Sequence, residues 1–127
     1  MNGRLILRTL AFYYPLLGAV WLIAPQSGLG EDPDAHAEFV GRVLGGYLVT
    51  IAALNWLAGS SPAPFVRRVL WINVGMNAVP AAISTVNIAN GSFGSSSWTG
   101  VVAHTIPIAW ILAYLLISAR TPEKRES

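Results

Sequence analysis

Hydrophobic positions along this chain gather into four long runs, at residues 5–24, 39–58, 69–89 and 98–119. Each run holds 20 to 22 residues. At ~1.5 Å of rise per residue, a helix of that length spans about 30 Å, the thickness of a bilayer's hydrocarbon layer. The third and fourth runs contain no Asp, Glu, Lys or Arg. The first contains only Arg8 and the second only Arg42, each near its start. A continuous apolar run in lipid must satisfy its own backbone hydrogen bonds, which a helix does and an isolated strand does not. Membrane β-barrel strands would instead alternate over ~10-residue segments. The pattern therefore predicts an all-α chain of four transmembrane helices.

Polar and turn-forming residues separate the runs. Residues 26–38 carry a Gly/Pro/Asp cluster, residues 59–68 carry Ser60, Ser61, Pro62 and Pro64, and residues 90–97 are nearly all Gly and Ser. Such short connections make neighbouring helices antiparallel, giving an up-down-up-down bundle. Residues 1–120 form one transmembrane domain, and residues 121–127 form a charged tail. The first run follows a basic start, as in a signal peptide. However, Ala24-Pro25-Gln26 is a poor cleavage site, so this run is expected to remain as a span.

Composition agrees with lipid as the solvent. Charged residues make up 11 % of the chain and apolar residues 54 %, whereas a water-soluble domain carries about 25 % charged residues. There is no cysteine, which removes disulfides, thiolate metal sites and cysteine nucleophiles. The net charge of +2 is too small and too scattered for a nucleic-acid footprint. Its distribution is more informative. Arg4 and Arg8, Arg67 and Arg68, and Arg120, Lys124 and Arg125 all fall on one face of a four-span topology. Glu31, Asp32, Asp34 and Glu38 fall on the other, with Arg42. The positive-inside rule places the basic face, with both termini, in the cytoplasm. Trp21 and Trp98 then belong near the outer interface, and Trp56, Trp71 and Tyr114 near the inner one.

Candidate chemistry lies in the polar residues at membrane depth, which tend to face a bundle interior. Measured from the cytoplasmic side, Asn55 lies lowest, at ~5 Å. Asn73, Tyr13 and Tyr14 come next, Asn77 and Tyr47 lie near the middle, His104 is above them and Arg42 is near the outer boundary. Asn73 and Asn77 are four apart and share a helix face. Pro80 and Pro107 each free a carbonyl in the preceding turn. Glu38 and Arg42 have the spacing and order of a helical ion pair.

Two readings follow. In one, Arg42, Tyr47, Asn73, Asn77 and His104 form a ligand-binding set around a cavity open to the outer side. Arg42 would attract an anion at its mouth, and His104 would be a proton donor or acceptor. In the other, the amides and the histidine bond one helix to another, and Arg42 pairs with Glu38 and snorkels. Gly41, Gly45 and Gly46 read as a close-packing surface on the second helix. The two histidines, His36 and His104, lie on different elements, so no metal site is expected. No phosphate loop or nucleophile triad is present. No span carries an acidic residue, unlike small proton-coupled exporters.

Gly41-Arg42-Val43-Leu44-Gly45-Gly46 leads into Ala53-Leu54-Asn55-Trp56-Leu57-Ala58, followed by Asn73-Val74-Gly75-Met76-Asn77, Trp98 and Val102-Ala103-His104. In these segments the chain resembles small, uncharacterised bacterial four-helix integral membrane proteins and, more loosely, the DoxX-like families. The resemblance implies a four-helix bundle in a bacterial inner membrane. It also implies the quinone- or redox-associated setting of some DoxX-like subunits, and it brings no activity or identified cofactor. Three functions are compatible with these residues. The first is a non-enzymatic protein binding a small lipophilic molecule or a partner helix among membrane lipids. The second is a membrane enzyme acting on a lipid- or quinone-like substrate, with His104 as acid/base. The third is a subunit of a small transporter, as a homo-oligomer.

Overall fold

A computed structural model describes residues 2–24, 35–91 and 97–120, which form four helices and, among the described residues, no strand. They are α1 (Gly3–Ile23), α2 (Ala35–Ala58), α3 (Ala63–Ala89) and α4 (Ser97–Arg120). All four are long and apolar enough to cross a membrane, consistent with a multi-pass membrane protein. The acidic loop with Asp34, most of the Gly/Ser connection and the charged tail lie outside the described residues.

Two helix starts differ from the hydropathy boundaries. α2 begins at Ala35 rather than 39, and α3 at Ala63 rather than 69. At α3 the start is set by backbone chemistry rather than by greasiness. Pro62 caps α3 and Pro64 sits in its first turn, where a missing N–H costs nothing. Arg67 and Arg68 therefore ride on the helix. Only residues 59–62 connect α2 to α3, closed by Gly59, Ser60 and Ser61 N–H groups donating to the Asn55, Leu57 and Ala58 carbonyls. At the start of α1, Asn2 Oδ1 accepts the Arg4 N–H at 3.0 Å, satisfying one of the helix's free donors. Gly91, with φ of 67°, turns the chain out of α3.

α1 is the central element. It packs along α2 and touches both α3 and α4, while α3 packs along α4. Arg8 lies over Trp56 and Gly18 lies against Gly45, so α1 and α2 pack in opposite senses. Asn77 meets His104 and Ser84 meets Gly100, so α3 and α4 do likewise. α2 and α3 barely touch despite their short turn.

Each helix buries one narrow stripe: Ile6, Leu7, Leu10 and Tyr14; Leu48, Ala52 and Asn55; Val66, Leu70, Asn73 and Asn77; Pro107, Ile111 and Leu115. Large apolar side chains also cover the exterior, and amides lie within. Phe12, Leu16, Ile23, Leu57, Val79 and Leu116 are all more than half exposed, whereas Asn55, Asn73 and Asn77 are at most 2 % exposed. A water-soluble protein has the reverse arrangement. Apolar exposure on this scale requires a lipid or protein covering.

Candidate functional site

The buried polar residues form one continuous hydrogen-bonded chain that reaches all four helices, and its direction follows from backbone acceptors. The Val69 carbonyl can only accept, so Asn73 must present Nδ2 to it, at 2.9 Å. That nitrogen also donates to Asn55 Oδ1 at 2.8 Å. Asn73 Oδ1 then faces two donors, Asn55 Nδ2 at 3.0 Å and the Tyr14 hydroxyl at 3.1 Å. Having donated there, the Tyr14 oxygen accepts from Asn77 Nδ2 at 2.6 Å. Asn77 Nδ2 spends its second hydrogen on the Asn73 carbonyl at 2.7 Å. Asn77 is thereby oriented with Oδ1 towards His104 Nδ1, 3.1 Å away. An amide oxygen cannot donate, so the proton in this bond is on His104 Nδ1.

This chain uses the full capacity of Asn73, with two bonds given and two received. Among the described residues no buried side-chain nitrogen or oxygen lacks a partner. A second cross-helix bond lies beside it. The Tyr13 hydroxyl donates to the Ala103 carbonyl at 2.6 Å. Pro107, four residues on, has no N–H to give that carbonyl, and Tyr13 on α1 takes its place.

Of the residues expected to line an outward cavity, the structure brings Asn73, Asn77 and His104 together. It does not bring Arg42 or Tyr47 to them. Arg42 is exposed and lies 3.9 Å from Glu38, as its spacing predicts. Tyr47 is 63 % exposed. It sits one residue, about 100° of helix rotation, away from the buried Leu48. Tyr47 therefore does not share a wall with Asn77 and His104, and Arg42 does not stand at its mouth. Tyr14 and Asn55, which that expectation omitted, join α1 and α2 to the network.

The open space lies elsewhere. Because α2 and α3 splay from their turn, a groove of about 310 Å³ runs between them, walled by Leu54, Leu57, Phe65, Val69, Ile72 and Met76. Asn55 and Asn73 line it from the bundle side. It extends over one leaflet's depth: Phe65 to Met76 covers about 16 Å of helix. The groove can hold an apolar body, with the already bonded Asn55 and Asn73 beneath it. The interior chain has no comparable room, and its chemistry is that of a cross-brace.

His104 ends the brace with a single side-chain bond. His104→Leu is expected to lower stability by only about 1 kcal/mol, the scale of one interhelical hydrogen bond. Unfolding by SDS titration of the protein in mixed micelles measures this. A loss larger than that of Asn73→Leu would show that the histidine carries more than this bond.

The fold and its buried polar brace thus define a four-helix bundle of membrane-spanning length. No protein-family model matches the chain, and neither a curated protein nor a solved structure matches it at a significant level.

Proposed function

We propose that this chain is a non-enzymatic, multi-pass protein of a bacterial inner membrane that holds a small lipophilic molecule in the groove between α2 and α3. The groove carries the reading. Its volume of about 310 Å³ falls at the lower end of small-molecule sites, which are mostly apolar with a few fixed polar groups. Its length suits a molecule residing in one leaflet better than a partner helix, which would lie along the whole bundle. The resemblance to small bacterial membrane proteins supports the inner-membrane setting. Arg4, Arg8, Arg67 and Arg68 cluster at the end of the bundle that carries the α2–α3 turn, and this supports cytoplasmic termini. Asn73 serves the ligand as floor, held rigid by its four bonds. The hydrogen-bonded pairing of His104 with Asn77 supports an anchoring role for that histidine.

Native mass spectrometry of the chain purified in mild detergent tests the reading. The expected result is a bound lipophilic mass of about one per chain, lost in Ile72→Trp, whose indole would fill the groove. An empty wild-type chain, a ligand indifferent to Ile72→Trp, or a dimer mass in place of a ligand would each overturn it.

A further inference from the structure

A second cleft lies on the other side of the α2–α3 turn, at the basic end of the bundle, and the geometry points to it as a binding site for the phosphate of an anionic phospholipid. It is lined by Asn2, Arg4, Leu5, Arg8, Gly59 and Ser60, with a volume of about 600 Å³. The inference requires the bundle to sit in a bilayer and requires nothing of the α2–α3 groove.

Charge comes first. Arg4 and Arg8 are four residues apart on α1, so their guanidinium groups are neighbours that repel. Among the described residues neither has a carboxylate within ion-pair distance; the ion pair there is Arg42 with Glu38, on α2. An anion between them relieves the repulsion, and guanidinium forks match phosphate oxygens geometrically.

Preorganisation comes second. The Arg8 guanidinium carbon lies 5.7 Å from the centre of the Trp56 ring, a cation–π distance. Trp56 is itself held edge-on by Phe12, with ring centres 5.8 Å apart and planes at 88°. Arg8 is therefore placed beside the turn by a cation–π contact, and its N–H groups form no ion pair with a carboxylate among the described residues. The turn's backbone N–H groups are already spent on carbonyls of α2. The neutral donors left at the cleft are the Ser60 hydroxyl and the Asn2 Nδ2, since only the Asn2 oxygen is engaged.

The third argument separates a lipid from a free phosphate. Leu5 lines the cleft, and from Arg8 towards mid-membrane α1 presents Phe12 and Leu16; the three are exposed by 58 %, 64 % and 71 %. With Arg8 these positions follow helical spacing along one face. A phosphate at Arg4 and Arg8 therefore sits directly above an apolar track where an acyl chain would lie. Basic residues at the cytoplasmic end of membrane helices are placed to meet anionic headgroups.

The test is thermal unfolding of the full chain in detergent micelles. Phosphatidylglycerol, phosphatidylcholine or millimolar inorganic phosphate is titrated in. The expected result is a saturable rise in Tm with phosphatidylglycerol alone. Its apparent affinity falls roughly 25-fold in the Arg4→Gln/Arg8→Gln variant, about fivefold for each basic residue. Arg67→Gln/Arg68→Gln removes the same charge from the same end of the bundle and keeps the response. Should the double variant fail to fold, Arg8→Lys keeps the charge and loses the fork, and its response to phosphatidylglycerol is expected to weaken. An equal loss in both double variants would mean diffuse surface attraction. A rise with inorganic phosphate alone would mean a soluble anion. No rise with any additive, or an Arg8→Lys response equal to wild type, would mean no built site. Each of these overturns the inference.

Discussion

Asn73→Leu is expected to destabilise the bundle by about 2–5 kcal/mol, because interhelical hydrogen bonds contribute about 0.6–1.7 kcal/mol each and each buried group left without a partner costs about 1–3 kcal/mol. Asn73 receives the Tyr14 hydroxyl and an Asn55 N–H, and it returns an N–H to Asn55. Leucine has the same branching and is no smaller, so no cavity opens and the loss comes from the hydrogen bonds. It strands both ends of the Asn55 amide and the Tyr14 proton, all at sites 2 % exposed or less. SDS titration of purified protein, followed by far-UV circular dichroism, measures the change. A shift under about 0.5 kcal/mol, the size of a neutral surface substitution, would mean that these bonds do not hold the helices together. The double variant Asn55→Leu/Asn73→Leu sharpens the test. Removing both partners leaves fewer orphans than removing one, so the two losses are expected to fall well short of additive.

The sequence made the four helices legible because lipid permits only one solution for an apolar run of that length. It did not make their starts legible where polar residues extend the helix beyond the greasy segment, as at Ala35 and Ala63. Depth in the bundle was also readable. Counting residues put Asn55, Tyr14 and Asn73 within about two helical turns of one another, and they do meet. Direction around each helix was harder, and the reading that assigned Tyr47 to the interior and passed over Asn55 went astray there. The signal was present in α2. Gly41, Gly45, Leu48, Ala52 and Asn55 repeat at intervals of three and four, and all are buried. Taking small residues as the inward face would have turned Asn55 in and Tyr47 out. On α2 the small residues Gly41, Gly45 and Ala52 share the buried face with Asn55, whereas Arg42 and Tyr47 lie off it. No such rule reaches the groove. It results from how far α2 and α3 splay after a four-residue turn, which depends on the packing of α1 against both.

That packing leads to the second large effect, Gly45→Ala, which is expected to cost about 1–3 kcal/mol, as overpacking a tight contact does. A Cβ on Gly45 would lie 2.7 Å from the Gly18 carbonyl oxygen, 2.8 Å from Leu22 Cγ and 3.0 Å from the Leu22 nitrogen. The reverse holds at Gly18, whose Cβ would lie 2.8 Å from the Gly45 oxygen. Two of the obstructing atoms at Gly45 are backbone, so no rotamer change clears them and the helices must move apart. Gly46 is the matched control. It neighbours Gly45 on the same helix, yet a Cβ there meets nothing within 4 Å. Gly46→Ala is therefore expected to be neutral or to stabilise by about 0.5–1 kcal/mol through helix propensity. Both substitutions bring the same propensity gain, so the difference between them reports the close approach of Gly45 to Gly18 and Leu22. Equal unfolding midpoints for the two variants would dismiss that approach. The consequence also travels along α1. Tyr14 lies one turn before Gly18, so pushing α1 off α2 stretches the bonds Tyr14 makes to Asn73 and Asn77. Gly45→Ala and Asn73→Leu are therefore expected to be less than additive when combined, because each already weakens the brace that the other disrupts.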